Sequence, residues 1–167
     1  SNKDSAIGLT CNNSATAPTY TEPGPVGTAF NSVTNASERR FVTVVNDSRW
    51  AKYGSELTLS CWVQGRKIPG TGRIFSSKTS FSNEGGFEFT FQYGYNKYNT
   101  ITSGNNQNTI TGVSCENTFV YMTSVMSGNR VTLYSNGEYS GKNDNKCQMV
   151  PPTVNMRLGA VGGASNT

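Results

Sequence analysis

Short stretches of this chain alternate apolar and polar residues, which is the pattern of a β-strand with one face packed on a core. The clearest is residues 87–93, where aromatic residues at every second position are separated by Glu88, Thr90 and Gln92. This pattern predicts a strand whose aromatic face is buried and whose polar face meets water. Residues 56–63 alternate in the same way, and their apolar face consists of Leu57, Leu59, Cys61 and Val63.

Further stretches rich in β-branched and aromatic residues predict strands at 6–11, 40–45, 118–126, 130–135, 138–140 and 153–158. Asn136-Gly137 separates two of them, and this dipeptide is the strongest short signal for a type I′ hairpin turn. Residues 12–35 are rich in Asn, Ser, Thr, Pro and Gly and predict one long extended loop. Shorter loops are predicted at 46–54, 64–73, 94–99, 103–108 and 141–146.

The composition points to the same class of fold. Of the 167 residues, 34% are hydrophobic, 14% are charged and 18 are glycine. Abundant Ser, Thr, Asn and Gly disfavour helices, because the polar side chains compete for backbone hydrogen bonds and glycine costs conformational entropy. We therefore expect an all-β fold, a β-sandwich or jelly-roll of the Ig-like kind, over residues 1–158. Residues 159–167 are expected to form a flexible linker or tail to a following domain.

The cysteines suggest cross-links. Four are present, at Cys11, Cys61, Cys115 and Cys147, and no two have CxxC spacing. An even number of widely spaced cysteines in a polar chain predicts two disulfides made in an oxidising compartment, hence a secreted protein. Four cysteines allow three pairings, and we favour Cys11–Cys61 with Cys115–Cys147 because strands near in sequence tend to be neighbours.

Charge and residue types argue against several functions. The net charge is +4, and the basic residues are scattered instead of forming the stripe of a nucleic-acid binder. No apolar run is long enough to cross a bilayer, so membrane insertion is not expected. The chain has no histidine, and its cysteines are assigned to disulfides, so neither a metal site nor a cofactor is expected. Residues 143–145 place oxygen-bearing side chains in one loop but lack the Gly and bidentate Glu of a calcium loop.

Catalysis is not expected either. Without histidine, the Ser/His/Asp and Cys/His mechanisms are unavailable. A glycosidase needs just two facing carboxylates, and the acids that qualify by residue type are Asp47, Glu84, Glu88 and Glu116. Their spacing singles out no pair, so the sequence favours a domain that is not an enzyme.

Two of the predicted loops carry the groups that bind sugars. Planar amides and carboxylates exchange hydrogen bonds with sugar hydroxyls, and aromatic rings pack on the apolar face of the sugar. The candidate ligand-binding residues are Asp47, Arg49, Trp50 and Tyr53 in one loop and Tyr95, Asn96, Tyr98 and Asn99 in the other. They form a shallow cup if the sandwich brings both loops to one end. The alternative is that Trp50 and Tyr53 cap the core from outside.

Residues 147–161 read CQMVPPTVNMRLGAV, a Cys followed by an alternating stretch and by Leu-Gly-x-Val. This segment is similar to the opening of pilin-type strands. Together with the composition, the cysteines and the Gly-rich tail, it makes the chain resemble the N-terminal, lectin-like receptor-binding domain of a chaperone–usher fimbrial tip adhesin. The resemblance implies a jelly-roll or Ig-like domain on a bacterial cell surface, reached through the periplasm and joined by a short linker to a pilin domain.

Two functions follow as hypotheses. The first is an adhesin domain that binds a host-cell glycan or glycoprotein through loops at one end of the sandwich. The alternative is an adhesin module that binds a host protein, such as a matrix or plasma component, over a flatter face. The basic loop at 64–73, with Ile68 between charged residues, fits the alternative better.

Overall fold

The chain folds into two β-sheets packed face to face, with a separate two-stranded hairpin. The computed structural model describes residues 2–3, 10–13, 19–31, 40–49, 56–65, 71–78, 88–92, 97–101, 107–144 and 152–159. The strands in this part of the chain are β1 Asn2–Lys3, β2 Thr10–Asn13, β3 Thr19–Pro23, β4 Thr28–Asn31, β5 Val42–Val44, β6 Glu56–Val63, β7 Thr71–Ser76, β8 Glu88–Gln92, β9 Lys97–Ile101, β10 Gln107–Thr111, β11 Val120–Ser127, β12 Arg130–Ser135, β13 Glu138–Asn143 and β14 Met156–Leu158. No α-helix lies in the same residues. Among them, accordingly, no helix has the length and apolar character needed to cross a membrane.

The order of strands in the sheets does not follow the order along the chain. The larger sheet runs β1-β2-β5-β14-β7-β8-β9-β10, and the smaller one runs β13-β12-β11-β6. Neighbouring strands pair antiparallel, and β14, near the C-terminal end, lies between β5 and β7. The all-β sandwich predicted from the alternation is therefore confirmed. Whether residues 1–158 form the whole domain stays a prediction.

The core lies between the inner faces of the two sheets. Phe75 and Phe89 come from the larger sheet, with ring centroids 5.5 Å apart. The smaller sheet places the buried side chains of Met122, Met126 and Leu133 in the same cluster. The apolar face of β6 predicted from its alternation is half-buried against this cluster, as expected.

β8 departs from the prediction on its polar face. Phe89 is fully buried, as its pattern predicts. Glu88 and Thr90 were expected to meet water, but they are also buried, at 1% and 0% exposure. The strand lies inside the larger sheet, between β7 and β9, and here both faces of that sheet are covered. Alternation reports one buried face and cannot report a second.

Several predicted loops are strands. The loop predicted at 12–35 contains the β3–β4 hairpin, with a turn closed by a hydrogen bond from Gly24 N to Gly27 O. β9 and β10 begin within the loops predicted at 94–99 and 103–108, and β7 begins within the loop predicted at 64–73. These strands place Asn, Gln, Gly or charged residues among their Thr and aromatic residues, so no sustained apolar alternation marks them as strands.

The turn at Asn136-Gly137 is confirmed. Asn136 has φ 53° and Gly137 has φ 85°, the left-handed values that a type I′ turn requires at both positions. Asn136 also joins the turn to the neighbouring strand β11, because its N–H donates to Tyr121 O and its Oδ1 accepts from Tyr121 N.

The prediction of two disulfides is wrong. Cys61 and Cys115 carry free thiols, so neither the Cys11–Cys61 nor the Cys115–Cys147 bond is formed. Cys11 lies on β2 of the larger sheet and Cys61 on β6 of the smaller one. The pairing was favoured on the expectation that strands near in sequence are neighbours, and these two strands are not. Cys147 lies outside the described residues. The argument for an oxidising compartment that rested on these bonds is lost with them.

We expect Cys61 to resist alkylation while the protein is folded. Burial, and secondarily the nearby Cys115, raise the pKa of the Cys61 thiol to about 12. At about pH 8 the reactive thiolate is then about one molecule in ten thousand, against a substantial fraction in the unfolded chain. Iodoacetamide treatment with peptide mass spectrometry should label Cys61 quickly in denaturant and slowly without it. Equal labelling rates, or recovery of Cys61 in a disulfide, would contradict this assignment.

Candidate functional site

The first predicted loop contains an ion pair at the exit of β5. The Arg49 guanidinium donates to both carboxylate oxygens of Asp47, with Nε 2.8 Å from Oδ1 and Nη2 2.9 Å from Oδ2. Both side chains are about one-third exposed. The preceding residue, Asn46, is anchored to the segment before β14 through Asn155 and Pro152. Asp47 and Arg49 therefore form a fixed, partly exposed pair, while Trp50 and Tyr53 lie outside the described residues.

The second predicted loop is in part a strand. Tyr98 and Asn99 belong to β9, where they pair in register with residues of β8 and β10. Tyr95 and Asn96 lie outside the described residues. The expectation that all four sit on a loop is thus wrong for Tyr98 and Asn99. The meeting of the two groups in one cup stays a prediction.

A different set of aromatic side chains is exposed on the smaller sheet. Because side chains alternate along each strand, those that do not enter the core stand together on the outer face of this sheet. We call this surface the aromatic face, and its aromatic members are Trp62 on β6, Tyr121 on β11, Tyr134 on β12 and Tyr139 on β13. Trp62 is 46% exposed and Tyr139 is 59% exposed, which is unusual for such large apolar groups.

The four rings form two neighbouring pairs. Trp62 and Tyr121 are paired across β6 and β11, with centroids 5.1 Å apart and ring planes tilted by 45°. Tyr134 and Tyr139 are paired across β12 and β13, with centroids 6.2 Å apart and an edge-to-face arrangement. The strand order places the pairs side by side, one on each half of the sheet.

Hydroxyl groups follow the rings along the same face. Ser60 and Thr123 are register partners between the two aromatic pairs, and Thr58 and Thr132 occupy the next row. The end of the face away from the rings contains a shallow cavity of about 310 Å³. It is lined by Glu56, Leu57, Thr58, Val125, Met126 and Ser127. The aromatic face thus offers rings at one end, and hydroxyls and a depression toward the other.

A cluster of three charged side chains lies toward the end of this sheet opposite Trp62 and Tyr121. Asp144 forms salt bridges with Arg130 and with Lys142, and all three side chains are about half exposed. Hydrogen bonds from Lys142 and then from Arg130 lower the pKa of Asp144 below its ordinary value. Asp144 belongs to the loop weighed above as a calcium site, and here its carboxylate is bound by two cations.

The larger sheet carries a polar row on the face turned away from the core. The row crosses five strands in register, from Asn12 through Thr43, Arg157 and Ser76 to Glu88. Glu88 Oε1 accepts hydrogen bonds from Ser76 Oγ at 2.6 Å and from Arg73 Nε at 3.1 Å. The Arg157 guanidinium lies 4.5 Å from the centre of the Phe41 ring. The row is an internal network, since Thr43, Ser76 and Glu88 are all buried.

These contacts decide the role of two candidate catalytic carboxylates. Glu88 is an internal ion-pair partner of Arg73, and Asp47 is bound on both oxygens by Arg49. Glu116 lies between β10 and β11 and forms an isolated bridge with Gly65, which follows β6, and Glu84 is outside the described residues. The structure therefore brings no two of the described candidate acids into a shared site.

Sequence reasoning missed the aromatic face. Trp62 and Tyr121 both lie in stretches that were predicted to be strands, at the positions opposite to the apolar alternation. The signal was therefore present in the sequence: an aromatic residue on the polar side of a half-buried strand is exposed. The pairing of β6 with β11 and of β12 with β13 was needed to show that four such residues meet.

Comparison with known proteins agrees with this architecture. The profile of the family Laminin_G_3, described as the concanavalin A-like lectin/glucanases superfamily, matches residues 35–166. No curated protein sequence matches the chain significantly. A jelly-roll of this kind replaces the Ig-like variant of the expected sandwich.

Solved structures with a similar fold include clostridial toxin binding domains. One is the binding domain of botulinum neurotoxin DC in complex with SialylT, with a TM-score of 0.69, 12% identity and 92% of this chain covered. Another belongs to a study of type C neurotoxin entry through two ganglioside molecules, with a TM-score of 0.68, 10% identity and 97% covered. The binding domain of Paraclostridial Mosquitocidal Protein 1 gives a TM-score of 0.66 at 13% identity, with 96% covered. The chain spans 39% to 41% of the length of these proteins, and at such identities the likeness shows the fold.

The buried ion pair of Arg73 and the exposed ion pair of Arg130 should contribute unequally to stability. Replacing Arg73 by alanine should lower the free energy of unfolding by about 3 kcal/mol, because it leaves the buried Glu88 carboxylate without its cation. Arg130→Ala is the matched control, since its partner Asp144 is exposed and the pair is screened by water. Urea unfolding should show a lower midpoint for Arg73→Ala and an unchanged one for Arg130→Ala. Equal midpoints would contradict the internal role of Glu88.

Proposed function

The chain belongs to the concanavalin A-like lectin/glucanase superfamily, and on that basis we propose that it is a glycan-binding domain whose binding surface is the aromatic face. The observation that carries the proposal is the exposure of Trp62 and Tyr121 as a tilted pair on a folded sheet. Exposed rings of this size cost free energy in water and release it when an apolar surface covers them. A sugar ring supplies such a surface on one side and hydroxyls at its edge.

The surroundings of the rings suit a sugar better than a purely apolar ligand. Ser60, Thr123 and Asn136 lie next to the aromatic pairs, and each offers groups that donate and accept hydrogen bonds. Ring stacking together with a few polar groups is the usual composition of a small-molecule site. The solved neighbours support a sugar ligand by analogy, since one is a complex with SialylT and another is of a neurotoxin whose cell entry depends on interaction with two ganglioside molecules.

The proposed activity is binding without turnover. Two of the acids that a glycosidase would need are committed to ion pairs with Arg73 and Arg49. Solved structures with TM-scores of 0.66 to 0.69 to this chain are binding domains of toxins. Incubation of the protein with any glycan that it binds should therefore release no product.

The adhesin hypothesis is a narrower form of the same proposal. In that form the glycan belongs to a host cell, the domain is displayed on a bacterial surface, and a pilin domain follows it. The support is the resemblance of residues 147–161 to the opening of a pilin-type strand. Immunogold labelling of intact cells with an antibody to the domain tests the location. Label confined to the cytoplasm would overturn it.

A protein receptor is the second candidate. It is favoured by the open shape of the aromatic face, because a flat sheet surface with exposed tyrosine and tryptophan is also the composition of a protein interface. One solved neighbour is a complex of a neurotoxin binding domain with rat synaptotagmin II. Binding to the protein part of a deglycosylated receptor, with loss on Trp62→Ala, would favour this candidate over the glycan.

A pair of variants tests the aromatic face against the predicted loops. Trp62→Ala should abolish or weaken at least tenfold the binding of glycans found on an array, because it removes the larger ring of the exposed pair. Arg49→Ala, on the loop after β5, should leave that binding unchanged. The denaturation midpoint of each variant verifies that the fold is retained. Loss on Arg49→Ala with normal binding by Trp62→Ala would move the site to the loops.

A further inference from the structure

The chemistry of the aromatic face also limits which glycan it takes. Resting on the proposed function, we infer that the face binds an extended, uncharged glycan chain along its internal sugar units, and not a terminal acidic sugar. The inference stands on three observations: the two aromatic pairs are separated, the surface is open, and the cations of this sheet are paired with Asp144.

The separation of the aromatic pairs sets the length of the ligand. Trp62 and Tyr121 occupy β6 and β11, whereas Tyr134 and Tyr139 occupy β12 and β13. The centres of the two pairs are thus two strand spacings apart across the sheet, or about 10 Å. One sugar ring cannot cover both pairs. A chain of several linked sugars laid across the strands places one ring on each pair, with its intermediate units over Thr123.

The open surface points to internal units as well. A site that selects a terminal sugar surrounds the end of the glycan. Here the rings stand on an open sheet face, and Tyr121, Trp62 and Tyr139 are 36%, 46% and 59% exposed. The neighbouring Tyr134 is partly buried beneath this surface. Such a platform lets both ends of a chain extend beyond it, so recognition depends on ring faces and not on a chain end.

The charges disfavour an acidic ligand. On the described strands of this sheet, Glu138 directly precedes Tyr139 and pairs with the inward-facing Ser135, so its side chain points to the face opposite the rings. The cations of the sheet, Arg130 and Lys142, lie toward the other end and both engage Asp144. A carboxylate on a sugar seated on the rings would have to compete with Asp144 for these two cations. An uncharged chain needs no cationic partner.

The test uses calorimetric titration with two kinds of probe. The first is a set of linear neutral oligosaccharides of several linkage types, each supplied as a disaccharide and as longer chains. The second is sialyllactose, which is short and carries a terminal acid. We expect affinity for one neutral series to rise with chain length until both pairs are covered, and to be insensitive to salt because no charge is recognised.

Two variants connect the length effect to the two pairs. Trp62→Ala should weaken binding of every member of the series by about tenfold, as expected for the loss of one stacked ring. Tyr139→Ala should weaken the longer chains severalfold and leave the disaccharide unchanged. Val113→Ala is the control, because Val113 is 44% exposed and lies outside the sheet.

The outcomes separate this inference from the proposed function. Binding of sialyllactose alone, lost on Trp62→Ala, would leave the proposed function standing and overturn the inference. An equal effect of Tyr139→Ala on short and long chains would also overturn it. Absence of binding to neutral and acidic glycans alike, or binding unaffected by Trp62→Ala, would overturn both. Capture of a deglycosylated protein by the same face would replace the glycan with a protein ligand.

Discussion

The structure depends on the contact between the inner faces of two sheets. Phe75 and Phe89 on one side and Met122, Met126 and Leu133 on the other form a single apolar cluster. Each strand sends every second side chain into this cluster, and the alternate side chains must point away from it. The residues that enter the core therefore determine which residues lie on the outer face of each sheet. The aromatic face of the smaller sheet and the polar row of the larger sheet both follow from this constraint.

The two outer faces have opposite characters. The larger sheet carries the polar row, in which Glu88 Oε1 accepts hydrogen bonds from Arg73 and Ser76 away from water. The smaller sheet exposes Trp62, Tyr121 and Tyr139. Buried polar groups bonded to each other are a means of holding a structure, whereas exposed aromatic groups lack a partner of matching surface. This contrast directs the search for a ligand to the smaller sheet.

The comparison with toxin binding domains gives the fold and leaves the site to be found. At 10% to 14% identity, the similarity extends to the arrangement of strands and not to particular side chains. A fold of this kind carries unrelated functions on different surfaces, so function must be argued from the site. The exposure of Trp62 and Tyr121 and the geometry of their rings support the aromatic face as the binding surface. It requires no equivalence with the sugar sites of those proteins.

The sequence by itself determined the class of fold, the strands with clear alternation and the Asn136-Gly137 turn, because these depend on local periodicity and backbone conformation. It did not determine β3, β4, β9 or β10, whose polar residues form strands because neighbouring strands satisfy their backbone groups. Nor could it decide the cysteine pairing, because Cys11 and Cys61 lie in different sheets and the sheet to which a strand belongs depends on the tertiary structure. The site followed the same rule. Alternation places Trp62 and Tyr121 opposite the core, but the tertiary structure alone set them side by side, because their contact joins residues distant in sequence.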